Sequence, residues 1–192
     1  MRPALFAALA LTAAALAWGA AAPASAQDTA LLRLAEPRTH AILRHAIAPG
    51  TGDPAGFTLG DCATQRNLDD RGRDQARAIG AAFRQAGVAV DRVLTSAWCR
   101  ATETARLLDL GPVGAEPALN SFFADRASRD EQTEAVRRLL AGLPPSEPAV
   151  LVTHQVNITA LTGVYPRSGE VVMLRVAEDG GIEIVGRFLA GE

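Results

Sequence analysis

The sequence predicts an α/β domain in three layers, an α/β/α sandwich with helices on both faces of a mainly parallel central sheet, and three observations carry that expectation. Short apolar runs of strand type alternate with longer runs of helical period, which is the pattern of βαβ units. Two of the strand runs, centred on Ile42 and on Leu151, lack the alternation of a half-exposed strand, as burial on both faces requires. A chain of 192 residues, 48% hydrophobic and 21% charged, suits one compact domain rather than a disordered or collagen-like one.

In chain order, residues 1–26 begin with Arg2, continue with an apolar stretch from Ala4 to Ala17 and end on Ala24-Ser25-Ala26 before Gln27. That order of charged, apolar and small-residue regions predicts a secretory signal. The stretch is shorter than the ~20 residues a membrane span needs, so no stable membrane anchor is expected after cleavage. Residues 27–192 would then be the mature domain, exported and periplasmic in a Gram-negative source.

Thr39 to Arg44 reads as a buried strand, and the Gly/Pro-rich stretch from Pro49 to Gly60 as a long loop. Ala76, Ile79, Phe83 and Ala86 recur at helical spacing from Asp69 to Ala86, with Asp69 or Asp70 as cap and Gly87 as stop. Val90 to Thr95 predicts a second strand and Ala97 to Leu108 a second helix. Two prolines between Gly111 and Asn120 suit a short edge strand. Ser128 and Glu131 have capping-box spacing ahead of a helix that turns Val136, Leu139 and Leu140 inward. Ala149 to Thr153 is the most strand-like run in the chain. Two β-rich runs around Asp179-Gly180-Gly181 predict a C-terminal β-hairpin.

The charge balance excludes one class of partner. All 19 basic residues are Arg against 21 acids, a formal charge of −2, which gives no basic face for unspecific nucleic-acid binding. Removing residues 1–26 leaves 18 Arg against 21 acids, or −3. In an oxidising compartment Cys62 and Cys99 can form one disulfide, the alternative being two separately packed thiols.

Ligands of open α/β sheets collect at the carboxyl ends of the strands. There the first strand delivers Arg44 and His45, the second Thr95 and Ser96 followed by Arg100, and the 149–153 strand His154. Two guanidiniums with a neutral imidazole make a pocket that binds a phosphoryl group and can attack its phosphorus. The competing reading makes Arg44 and Arg100 members of surface ion pairs.

Leu43-Arg44-His45 after a short strand resembles the Arg-His-Gly signature of the histidine phosphatase superfamily, the phosphoglycerate-mutase-like proteins. Leu68-x-x-x-Gly72-x-x-Gln75-Ala76, Thr95-Ser96-x-x-x-Arg100-x-x-x-Thr104-Ala105 and Val152-Thr153-His154 follow in the family's order. The resemblance implies the phosphoglycerate-mutase-like fold, His45 as the nucleophile, and Arg44, Arg100 and His154 as the phosphate-binding set. It implies no cofactor and no metal. Two departures stand out: Ala46 replaces the family's Gly, and Leu119 to Phe123 holds no carboxylate where many members carry a Glu as general acid. Asp125 lies nearest that gap and is the candidate acid, with Asp53, Asp61 and Glu131 as competitors. Glu103 is read as a helix-surface residue or one that orients an Arg, and Arg66 as solvating its loop.

The function expected is a phosphomonoesterase acting through a phosphohistidine on a small-molecule phosphate ester, with envelope sugar phosphates as one substrate class. The alternative is a non-catalytic module of the same fold that binds phosphate or sugar phosphate. No Gly-x-x-x-x-Gly-Lys loop is present to cradle a nucleotide.

Overall fold

The computed structural model describes residues 26–190; positions 1–25 of the expected signal lie outside them. Six strands form one sheet: β1 (Thr39–Arg44), β2 (Arg92–Thr95), β3 (Val113–Ala115), β4 (Ala149–Thr153), β5 (Val171–Val176) and β6 (Ile182–Phe188). Their order is β3-β2-β4-β1-β5-β6. The β3-β2, β2-β4 and β4-β1 pairs are parallel, and β5 and β6 add the antiparallel hairpin. The sheet is mainly parallel, as expected.

Alternation along each strand divides the core. Ala41, Leu43, Val150, Val152 and Met173 face α2 (Asp70–Gln85) and α3 (Cys99–Leu108), where they meet Ile79, Phe83, Ala101 and Ala105. Ile42, Leu151, Val172 and Leu174 face α4 (Arg129–Ala141) and α5 (Gln155–Thr162), against Val136, Leu140, Ile158 and Leu161. Both faces are therefore closed, which is why these strands carry near-continuous apolar runs. The three-residue β3 lies at one edge, between Pro112 and Pro117, where these prolines and its own Gly114 cost the fewest ladder bonds.

Asp69 caps α2 as expected, accepting from Gly72 N at 2.8 Å. The Ser128 capping box does not form. Ser128 adopts φ −81° and ψ 2° rather than an extended conformation, and its hydroxyl donates to Asp125 O at 2.8 Å. Two helices carried no usable periodicity. The seven-residue α1 (Ala26–Leu32) is held by burying Ala30 and Leu31 in the core. In α5, Val156, Ile158 and Thr159 have modest helix propensity, and burial of Val156, Ile158 and Leu161 overrides it.

Cys62 and Cys99 form a disulfide, with Cα atoms 5.6 Å apart. It ties the loop that follows β1 to the first turn of α3, one residue before Arg100. Across a sequence separation of 37 residues, chain entropy assigns such a bridge about 4 kcal/mol. Reduction is expected to lower Tm by ~10 °C. An unchanged Tm under dithiothreitol, with two thiols titrated in the unfolded protein, would refute the contribution.

Candidate active site

Connections leave β1 over one face of the sheet and reach β4 from the other, so a crevice opens between the carboxyl ends of these two neighbours. The register pairs Arg44 with Thr153, and His45 N donates to Thr153 O at 2.9 Å. His45 and His154 thus leave the sheet at one level, ring centroids 5.4 Å apart, and both are buried.

The segment carrying His45 is fixed from three sides. Ala46 N donates to Thr104 Oγ1 at 3.0 Å, and Thr104 donates in turn to Arg100 O at 2.7 Å. Ile47 N donates to Gln75 Oε1 at 3.1 Å, while Gln75 Nε2 donates to Ser168 O at 3.0 Å. Gly169 N donates to the carbonyls of Arg44 and His45. Ala46 therefore serves where a Gly was expected; its φ is not positive.

His45 Nδ1 lies 2.8 Å from Ala46 O. A carbonyl only accepts, so the proton resides on Nδ1 and Nε2 keeps its lone pair. That lone pair accepts from Arg100 Nε at 3.2 Å. Burial first, then the charges of Arg100, Arg66 and Arg44, hold the His45 pKa well below the usual imidazole value, although the Ala46 carbonyl opposes the shift. The imidazole is neutral, the state in which its Nε2 lone pair can attack an electrophile. His154 is likewise depressed by burial, by His45 and by the same arginines. Its Nε2 shares a hydrogen with Ser96 Oγ at 2.7 Å, and Trp98 stacks edge-on at 5.2 Å.

Arg44 donates to Pro166 O at 3.1 Å, and its buried Nε has no hydrogen-bond partner. An orphaned guanidinium donor at the rim of a cavity of about 440 Å³, which His45, Arg100 and His154 also line, suits an incoming anion. The crevice thus brings together Arg44, His45, Arg100 and His154.

Asp125 does not join them. It is exposed, initiates a 3-10 turn through its carbonyl and lies outside the cavity lining. Asp61 caps a turn by accepting from Ala63 N at 3.1 Å, and Glu131 is exposed in the first turn of α4. Glu103 accepts from Arg73 Nε at 2.7 Å and so orients an Arg, though not one of the pocket. The carboxylate that lines the cavity is Asp53. It bridges Arg100 Nη1 at 2.7 Å and Nη2 at 3.2 Å, and accepts from Trp98 Nε1 and Arg66 N.

Arg66 corrects another expectation. Rather than solvating its loop, it lines the cavity and donates to Gly52 O and Ala48 O. Burial and neighbouring Arg100 lower its pKa to about 10. No short-range pattern marks Arg66 or Asp53, since both act through contacts distant in sequence.

The third histidine is structural. His40, buried on β1, accepts from Ala149 N at 3.3 Å, and burial lowers its pKa to about 4. All three histidines therefore stay neutral when folded and bind protons near pH 6.5 when unfolded. Their stability contribution is complete above that pH and falls as pH drops below it, by up to roughly 1.4 kcal/mol per pH unit for each. A clear decline in Tm from pH 7 to pH 5 is expected; a flat profile would contradict it.

The comparisons with known proteins bear on the fold. The family model described as the histidine phosphatase superfamily (branch 1) matches residues 58–125. Among solved structures, the protein histidine phosphatase SixA complexed with tungstate is 17% identical with a TM-score of 0.59, over 79% of this chain and 96% of SixA. A mycobacterial glucosyl-3-phosphoglycerate phosphatase, solved also with VO3, is 18% identical with a TM-score of 0.59, over 81% of this chain and 100% of its own. An open reading frame of Mycobacterium tuberculosis is 17% identical with a TM-score of 0.60, over 80% and 98% of the two chains. At these identities the likeness is one of fold. No curated protein matches the sequence.

Proposed function

We propose that the chain is a histidine phosphatase, the family whose model matches residues 58–125, and that it hydrolyses small phosphate monoesters through a phosphohistidine on His45. One observation carries the reading: His45 Nε2 is a neutral lone pair, buried, and held at 3.2 Å by the guanidinium of Arg100.

In the first half-reaction the Nε2 lone pair attacks phosphorus in line, the P–N bond forms, and the ester P–O bond breaks with its electron pair going to the leaving oxygen. Arg44, Arg100 and His154 hold the equatorial oxygens, where charge accumulates. In the second half a water attacks phosphorus, the P–N bond breaks, and its pair returns to Nε2. The alcohol portion would lie toward the mouth, where Phe57, Phe123 and Tyr165 offer apolar faces. Support for a sugar-phosphate class comes from the relative named a glucosyl-3-phosphoglycerate phosphatase, and for the anion site from those solved with tungstate and VO3.

We also place the protein outside the cytoplasm, on the residue order of positions 1–26. Among the described residues no helix is long and apolar enough to cross a membrane. N-terminal sequencing of protein recovered from the envelope fraction checks this; an intact Met1 would overturn it.

Mixing the protein with 32P-labelled p-nitrophenyl phosphate and quenching in alkali within the first turnover is expected to trap one alkali-stable, acid-labile phosphoryl group per chain. Phosphate release without such a label would overturn the mechanism. Saturable phosphate binding with neither release nor label would return the binding-module reading.

A further inference from the structure

Arg100 is the centre of the pocket, yet without substrate its guanidinium is already occupied. Asp53 takes both Nη atoms in a bidentate pair whose side chains are only 4% and 8% exposed. Arg100 Nε meanwhile faces His45. The two carboxylate oxygens therefore sit where two phosphoryl oxygens must sit for His45 to reach phosphorus. Substrate and Asp53 compete for one guanidinium.

The loop that presents Asp53 permits an exchange. Gly50 and Gly52 before it have φ of +90° and +71°. The backbone around it is pinned by Arg66, through Gly52 O and Ala48 O. Rotation of the Asp53 side chain alone thus frees Arg100 while the carboxyl group stays in the cavity, next to the anion that displaced it. It is the one carboxylate among the residues lining that cavity.

Building on the phosphohistidine reading, we propose that Asp53 is displaced from Arg100 by the phosphoryl group and then serves as the proton donor to the departing alcohol. The proton arrives with the substrate. A monoester monoanion carries one proton, with a pKa near 6, and hands it to the displaced carboxylate, which then lies against phosphoryl oxygens rather than a guanidinium. As the ester P–O bond breaks, the Asp53 O–H gives that proton to the leaving oxygen. In the second half, the Asp53 carboxylate takes a proton from the water whose oxygen attacks phosphorus. It passes that proton to an oxygen of the phosphate just formed, re-pairs as a carboxylate with Arg100 and expels phosphate.

The groups facing Asp53 give the same sequence of states. Burial alone would raise its pKa, but the Arg100 hydrogen bonds and charge, the Arg66 N–H and the Trp98 indole outweigh that and hold it below the usual carboxylate range. Once the anion takes Arg100, the strongest of these is lost and a negative neighbour is gained. The remaining charged groups around the site are Arg44 and Arg66, and the imidazoles of His45 and His154 beside them are neutral.

The test is Asp53→Asn, assayed with a simple alkyl phosphate, with p-nitrophenyl phosphate and with tungstate as a binding probe. The loss of kcat on the alkyl ester is expected to exceed the loss on the p-nitrophenyl ester by on the order of 100-fold, because p-nitrophenolate departs without a proton. Tungstate should bind about 10-fold more tightly, because its competitor for Arg100 is gone. A residue needed only to hold the fold would weaken both. Equal losses on the two esters, or weaker tungstate binding, would overturn the proposal. Asp53→Glu should restore the ratio between the esters.

If Asp53→Asn does not fold, the wild-type pH profiles decide. For the alkyl ester, kcat/KM should fall about tenfold per pH unit above about pH 6, and the p-nitrophenyl ester less steeply; parallel profiles would overturn the proposal. Absence of the trapped phosphoryl group in wild type is a separate result, which would defeat the phosphohistidine reading itself.

Discussion

His45→Ala is expected to abolish phosphate release, with turnover down by ~10⁴-fold or more, and to remove the alkali-stable phosphoryl label completely. The size follows from what is lost. Without Nε2 there is no covalent half-reaction, and the remaining pocket can only present the ester to water, so the members of such a unit fail together rather than in proportion. Arg44, Arg100 and His154 would still present their donors, so tungstate binding should stay within about tenfold of wild type. That separation of binding from turnover distinguishes a lost nucleophile from a lost fold. Label that persists in His45→Ala would move the nucleophile elsewhere, with His154 the nearest candidate at a centroid distance of 5.4 Å.

His45 and His154 were legible because their signals are local. Each follows an apolar run whose burial on both faces is written in the run itself, and the parallel pairing of β1 with β4 then sets them side by side. Arg100 followed from the helix after the second strand. The carboxylate of the pocket was legible only as one of three competitors to Asp125. Asp53 sits in a glycine-rich loop, where an Asp ordinarily serves a turn, and its role comes from an Arg 47 positions later. Asp125 drew attention by its proximity to the position of a missing Glu, and the backbone turn at residues 126–128 leaves its side chain exposed. Arg66 is the same case as Asp53: only the closed loop, with its carbonyls of Ala48 and Gly52 turned inward, gives the guanidinium a reason to be buried.

Local preference lost to packing in the helices as well. The Ser128 spacing satisfied the capping-box rule, but that box needs an extended cap residue, and here a preceding 3-10 turn sets Ser128 near helical ψ. In α5 the order is reversed: poor helix formers become helical because β4 ends on one side and Gly163, at φ +76°, closes the other.

Gly72→Ala is expected to cost activity far beyond its effect on stability. A Cβ at residue 72 would stand 1.9 Å from Ile47 O and 2.9 Å from Ile47 C, backbone atoms that cannot rotate away. Relief requires α2 or the His45 segment to shift by on the order of 1 Å, a displacement that costs ~100-fold in rate when it misplaces a reacting group. Ile47 is two residues from His45 and is held by Gln75 of the same helix, so the shift is transmitted directly to Nε2. Gly80 supplies the control. Its Cβ would meet Leu108 O at 1.9 Å, an equal clash on the same helix, but at the end of α3 away from the pocket. Overpacking of ~1–3 kcal/mol, reduced by about 1 kcal/mol for the better helix former, is expected in both variants. Tm should therefore fall by several degrees or less in each, whereas kcat should fall ~100-fold in Gly72→Ala and remain near wild type in folded Gly80→Ala. Equal kcat losses in the two would show that the close approach of α2 serves the fold alone and does not set the position of the nucleophile.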